Sequence, residues 1–197
     1  MNKLALALFA FVANFYQLLG WLIVLVVSFD LLFPQGAVDL SAAVHLARIV
    51  QLAQVSDLLL RGATAERVAQ LFTRLSVLFV FVGEGTYATF LLLVVYALAE
   101  LSRYGYYLFK VLPPLRWLRY SAFIALNPLG FLLEALIVQA AVAPLPFALH
   151  RGRVGLGRLL QLGGAVAAAL TYVKLLRERQ QKLGTRVAAA EKRVGTG

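Results

Sequence analysis

The 197-residue sequence contains no cysteine. Disulfides, thiolate metal sites and cysteine nucleophiles are therefore all excluded. Histidine is nearly absent too: His45 and His150 lie far apart, and no HExxH or His/Asp cluster occurs, so neither a metal centre nor a cofactor is expected. Charge is scarce, at 14% of residues, where an average soluble domain carries about 25%. Acidic groups are the scarcest: nine Asp and Glu stand against nineteen Lys and Arg, a net charge of +10. Hydrophobic residues make up 61% of the chain, whose mean hydropathy is +0.82, and a soluble fold of this size cannot hide that much apolar surface from water. In such a chain a positive balance points to anionic lipid headgroups or acidic partners, not to nucleic acid.

The apolar residues fall into runs. A membrane-spanning helix takes roughly 20 mostly apolar residues. Leu4 to Leu32 supplies one, broken after Phe33 by Pro34-Gln35-Gly36. A secretory signal peptide is the alternative for this stretch, but signal cores run to only about 7–15 residues. Further spans are expected at Asp39–Leu60, Glu66–Val82, Thr86–Leu112, Leu115–Val142 and Gly155–Leu176. Pro113-Pro114 and Pro144-Leu145-Pro146 are expected to end the fourth and fifth, since proline donates no backbone hydrogen bond. The fold class is all-α: a polytopic six-helix bundle over residues 1–176, followed by a polar, basic and helical tail over 177–197.

The distribution of basic residues tests that count, because short cytoplasmic loops are enriched in Lys and Arg. Six spans put both termini on one side with Lys3, Arg61, Arg67, Lys110, Arg116, Arg119 and seven basic residues of the tail region, thirteen in all. The other side holds only Arg151 and Arg153. Five spans would spoil this asymmetry.

Charged groups within a bilayer are costly and face a bundle interior or a wet cavity. Here they are Arg48, Asp57, Arg74, Glu100, Arg103 and Glu134, joined by Gln51 and Gln54. Gln51, Gln54 and Asp57 trace a loose stripe that Arg48 extends backwards. Glu100 and Arg103 can pair on one helical face. Asn127 and Glu134 lie two turns apart, about 10 Å along the axis. These groups either glue helices together or line a polar pocket between the second, third, fourth and fifth spans. His45, Trp21 and Trp117 are assigned to packing or the interface, and Gly163-Gly164 to a close helix approach.

Several of these residues also stand in a recognisable order. Glu100-Leu-Ser-Arg103-Tyr104 with Tyr107, then Trp117-Leu-Arg119-Tyr120 with Phe123, then Pro128, Gly130 and Glu134, resemble the 3-hydroxyacyl-CoA dehydratase family, once named protein-tyrosine-phosphatase-like. Asn14 with Gly20-Trp21, and Gln70 with Thr73-Arg74, are similar to two further elements, though Ala13 stands where a Tyr is expected. The resemblance covers residues 10 to about 140. It implies a six-helix fold of the endoplasmic reticulum membrane and the removal of water from a 3-hydroxyacyl-CoA during very-long-chain fatty-acid elongation. It also implies a catalytic Tyr and Glu seven residues apart on the fifth helix. Glu134 matches the Glu, but Asn127 occupies the Tyr position, and an amide cannot exchange a proton near neutral pH. Gln51 and Gln54 align where a Glu and a His are usual. Phosphatase chemistry is excluded by the lack of cysteine.

Three functions follow. The substitutions at 127, 51 and 54 lead to a catalytically degenerate dehydratase-like subunit of a larger membrane complex, with the charged tail as a partner contact and the mitochondrial inner membrane as an alternative location. The second is an active dehydratase using Glu134 alone, with water or another residue supplying the other proton transfer; Tyr104, Tyr107 and Tyr120 are nominated, though each also fits packing or an interfacial anchor. The third is an acyl-lipid binder. Arg103, Glu100, Tyr104, Arg74, Gln51 and Gln54 are the candidate cavity or substrate residues. Arg116 and Arg119 are candidates for CoA phosphates, or for anchoring at the basic face. The expected partners are membrane lipids, other membrane subunits and, if the chain is active, an acyl-CoA.

Overall fold

The computed structural model describes residues 3–30, 40–82 and 87–142, and a series of helical positions between 155 and 180. Every regular element among them is a helix. These are α1 (Lys3–Asp30), α2 (Leu40–Ala53), α3 (Val55–Arg61), α4 (Ala65–Ser76) continued by a π-helical turn (Val77–Phe81), α5 (Tyr87–Leu108) and α6 (Pro113–Val142). Residues 181–197, most of the expected tail, lie outside the described residues, as do Arg151, Arg153 and Gly164.

Four stretches are long and apolar enough to cross a bilayer: Leu4–Phe29, Leu40–Leu60, Tyr87–Leu108 and Pro113–Ala141. This is the architecture of a polytopic, all-helical membrane protein. Their outer faces carry large apolar side chains such as Leu8, Phe11, Phe15, Leu132 and Leu136. In water such a surface would be far larger than a soluble monomer exposes; against lipid it is the expected exterior. The third expected span is shorter than the other four. It consists of twelve α-helical and five π-helical residues, and Arg67 and Arg74 interrupt its apolar character.

The second span is interrupted at Gln54. The amide of Gln54 donates to the Gln51 carbonyl at 3.1 Å and that of Asp57 to the Gln54 carbonyl at 2.9 Å. These tighter, three-residue bonds separate α2 from α3. The hydroxyl of Ser56 donates to the Ala53 carbonyl at 2.7 Å, giving the interrupted ladder a replacement partner. At the other end of α4, the Val82 amide donates to the Val77 carbonyl at 2.9 Å, closing a π turn. Arg48 Nε donates to the Leu78 carbonyl in that turn at 2.9 Å. Arg48 therefore ties α2 to the π turn and does not extend the polar stripe.

α5 packs against both α1 and α6, and α1 packs against α2. α1 and α2 approach closely at Gly20: a Cβ there would meet Val50 Cγ2 at 2.7 Å. The core between these helices is Trp21, Val24, Ala47, Val50, Leu92, Leu93, Tyr96 and Ala97.

Three sequence expectations need correction. α5 stops at Leu108 and not at Leu112, so Pro113-Pro114 do not end it. They form the first turn of α6, where a backbone N–H has no intrahelical partner and proline's fixed φ suits the helix. His45 is exposed, not packed between helices. Among the described residues nothing lies within 4 Å of where a Cβ on Gly163 would stand, and the close helix approach they show is at Gly20.

Candidate functional site

The polar side chains around the interruption at Gln54 are paired with one another and with α1 and α5. Gln51 Nε2 donates to Gln54 Oε1 at 2.8 Å, and Gln17 Nε2 of α1 donates to the Val50 carbonyl at 3.2 Å. One turn on, Asp57 Oδ2 accepts from Arg103 Nη2 at 2.6 Å and from the Tyr104 hydroxyl at 2.9 Å. Arg103 Nε faces Glu100 Oε2 at 3.1 Å, the i,i+3 pair expected on α5. Arg74 Nη1, from α4, donates to the other carboxylate oxygen of Glu100. An unbroken chain of hydrogen bonds and ion pairs thus runs from α3 through α5 to α4. Buried charges in a bundle demand such pairing, because an unpaired ion in an apolar medium is far more costly.

Arg74 connects this chain to a second cluster. Its guanidinium lies 4.7 Å from the centroid of the Tyr96 ring. The Tyr96 hydroxyl donates to Glu134 Oε1 of α6 at 2.5 Å. Trp21 of α1 meets the same ring edge-on, with centroids 6.4 Å apart and planes at 88°.

A cavity of about 190 Å³ opens beside Arg74 and Arg103. Of the candidate residues, Gln54, Arg74, Glu100, Arg103, Arg119 and Asn127 line it, and Asp57, Tyr107 and Gln70 join them. Arg67 and Lys174 complete its cationic wall, so five cationic side chains stand there against the carboxylates of Asp57 and Glu100. Arg119 is held by aromatic rings: its guanidinium lies 4.6 Å from the Tyr106 centroid and 4.6 Å from that of Tyr107. It also donates to the Tyr107 hydroxyl at 3.2 Å. Gln51 and Tyr104 stand behind the wall and hold Gln54 and Asp57. Arg116 and Glu134 are not on the wall among the described residues.

Sequence reasoning missed Tyr96. Its position four residues before Glu100 puts the two on one face of α5, but in the run Leu-Val-Val-Tyr-Ala-Leu a tyrosine reads as packing. Arg67 and Lys174 carried no local signal; only the tertiary fold brings them to Arg74 and Arg119.

A family profile described as "Protein tyrosine phosphatase-like protein, PTPLA" matches residues 45–185. The chain is 33% identical over 108 residues to the "Very-long-chain (3R)-3-hydroxyacyl-CoA dehydratase" of Gallus gallus. That alignment covers 50% of this chain and 29% of the relative, so the chain spans under a third of the curated protein it matches. No solved structure matches it.

Proposed function

This chain belongs to the protein tyrosine phosphatase-like (PTPLA) family, and from that premise we propose that it is a membrane-embedded dehydratase acting on 3-hydroxyacyl-CoA thioesters. One observation carries the proposal. Arg74, Glu100 and Arg103, which carry the resemblance, meet at a single cation-rich cavity, and the retained carboxylate Glu134 stands directly behind its wall, bonded to the ring on which Arg74 packs. The relative's name supplies the substrate class and the reaction.

The chemistry suits the residues. The thioester carbonyl makes the C2 proton of the substrate acidic, and Glu134 is the carboxylate that takes it. The C3 hydroxyl then leaves as water and a C2=C3 double bond remains. The phosphates of CoA are polyanionic, and Arg forks bind phosphate in pairs of hydrogen bonds; Arg119, Arg67 and Lys174 at the cavity offer that recognition. The acyl chain is apolar and is accommodated among the helices or by lipid. The endoplasmic reticulum membrane is the compartment that goes with this reading.

A second reading is favoured by Asn127. It lines the cavity at the position where the resemblance places a Tyr, and its amide cannot act as acid or base. On this reading the chain is a non-catalytic accessory subunit of a membrane complex, for which the mitochondrial inner membrane is an alternative home.

Purified chain in lipid nanodiscs, supplied with a long-chain 3-hydroxyacyl-CoA, separates the two. Formation of the trans-2-enoyl-CoA, lost in Glu134→Gln, is the expected result. No product from the native chain or from Asn127→Tyr would favour the accessory subunit. Tight binding of the acyl-CoA without product would make the cavity an acyl-lipid site.

A further inference from the structure

Dehydration needs two proton-handling groups, one for the C2 proton and one for the departing hydroxyl. Glu134 is one, and Asn127 cannot be the other. Yet a phenol is bonded to Glu134. It comes from α5 and not from α6: the Tyr96 hydroxyl donates to Glu134 Oε1 at 2.5 Å. We propose that Tyr96 is the second catalytic residue of this chain, so that a Tyr–Glu pair is rebuilt across two neighbouring helices. The proposal rests on the dehydratase reading above.

The surroundings of Tyr96 fit the role. Its side chain is 1% exposed. The ring is fixed by the edge-on Trp21 and the Arg74 guanidinium, so its hydroxyl is held toward Glu134. Arg74 is itself on the cavity wall and packs on the Tyr96 ring, so C2 and C3 of the bound thioester must reach past the Arg74 side chain to the pair, a contact that forms only in the substrate complex. Arg74 is also anchored by Glu100, so its cation stays beside the phenol ring as the oxygen gains negative charge. Such preorganised charge requires no rearrangement at the moment of reaction.

The steps balance. The Glu134 carboxylate takes the C2 proton, and the C2–H electron pair becomes the second bond between C2 and C3. The C3–O bond breaks with its electrons on oxygen, and the Tyr96 O–H proton passes to that oxygen, releasing water. The phenolate then recovers a proton from the Glu134 carboxylic acid along the contact that joins them at rest. The substrate loses one hydrogen and one hydroxyl, and the pair ends in its starting state with no other reactant.

The test is steady-state turnover of a long-chain 3-hydroxyacyl-CoA by the native chain, Tyr96→Phe, Glu134→Gln and the double variant Tyr96→Phe/Asn127→Tyr, with melting temperatures measured alongside. Phenylalanine keeps the ring between Trp21 and Arg74 but takes the hydrogen bond from Glu134, so Tyr96→Phe is expected to fold and to melt somewhat below the native chain. Its kcat is expected to fall about 100-fold or more, as loss of a general acid or base does, with KM within about twofold. Asn127→Tyr is expected to recover part of that loss by returning a phenol to α6. Native kcat in Tyr96→Phe beside an inactive Glu134→Gln would overturn the role of Tyr96 and leave the dehydratase reading standing. A fall that Asn127→Tyr does not recover would mark Tyr96 as a structural partner of Glu134 and overturn the proposal as well. A native chain without turnover would overturn both.

Discussion

Glu100 is the residue on which the buried charges converge. It is 2% exposed, accepts from Arg74 and faces Arg103 at 3.1 Å. Removing its charge leaves two guanidinium groups short of a partner inside the bundle. Breaking a buried pair from one side costs about 3–5 kcal/mol, whereas replacing both partners by apolar groups of similar size is often close to neutral. Glu100→Gln is therefore expected to lower the stability of the detergent-solubilised protein by that order. Glu100→Leu combined with Arg74→Met should lose markedly less. Equal losses in unfolding titrations of the two variants would show that packing, not pairing, dominates here. How much of this cluster was legible in the sequence depends on separation along the chain. The three-residue spacing of Glu100 and Arg103, and of Gln51 and Gln54, announces two contacts that the structure contains, because helical periodicity fixes them locally. Arg74 with Glu100 and Tyr96 with Glu134 are separated by 26 and 38 positions. Periodicity tells only which face such residues occupy, not which helix stands opposite.

At the scale of elements, apolar length located most helices well, because the bilayer sets the length of a span. What it could not locate were interruptions made by backbone geometry: the tightened turn at Gln54 and the π turn at Val77–Phe81. Both occur where a polar side chain takes up a backbone carbonyl, Ser56 in one and Arg48 in the other. Proline was misjudged for a related reason. It disfavours the interior of a helix, although α6 carries Pro128 there. Yet two adjacent prolines open a helix as readily as they follow one. Gly20 is the element-scale feature most open to test. Glycine at that position lets α1 and α2 approach, and the group it would strike is the stiff, β-branched Val50. Gly20→Ala is expected to destabilise the protein by about 1–3 kcal/mol, as overpacking of a filled core does. Adding Val50→Ala should return part of the loss. If Gly20→Ala melts at the native temperature in detergent, the α1–α2 contact is looser than the 2.7 Å approach implies.

At the scale of the whole molecule, the open point is the short helix formed by α4 and its π turn. Its seventeen residues reach about 25 Å at 1.5 Å each, against a hydrocarbon core of about 30 Å. Length alone would leave it partway through the bilayer. Two observations favour a crossing. Arg67 at its start and Arg119, beyond α5, line the same cavity, so α4 and α5 go out and come back to one side of the bundle. The basic residues make the same demand, since thirteen gather on one side only when this segment counts as a span. The native chain lacks cysteine, so single cysteines can be read without background. Lys3→Cys and Lys110→Cys are expected to react with a membrane-impermeant maleimide from the same side of sealed vesicles, because four crossings separate them. Arg151→Cys should react only after the vesicles are opened. Labelling of positions 3 and 110 from opposite faces would mean three crossings. The α4 segment would then be a re-entrant helix, and the cavity would have to open at the depth of the membrane rather than at its basic surface.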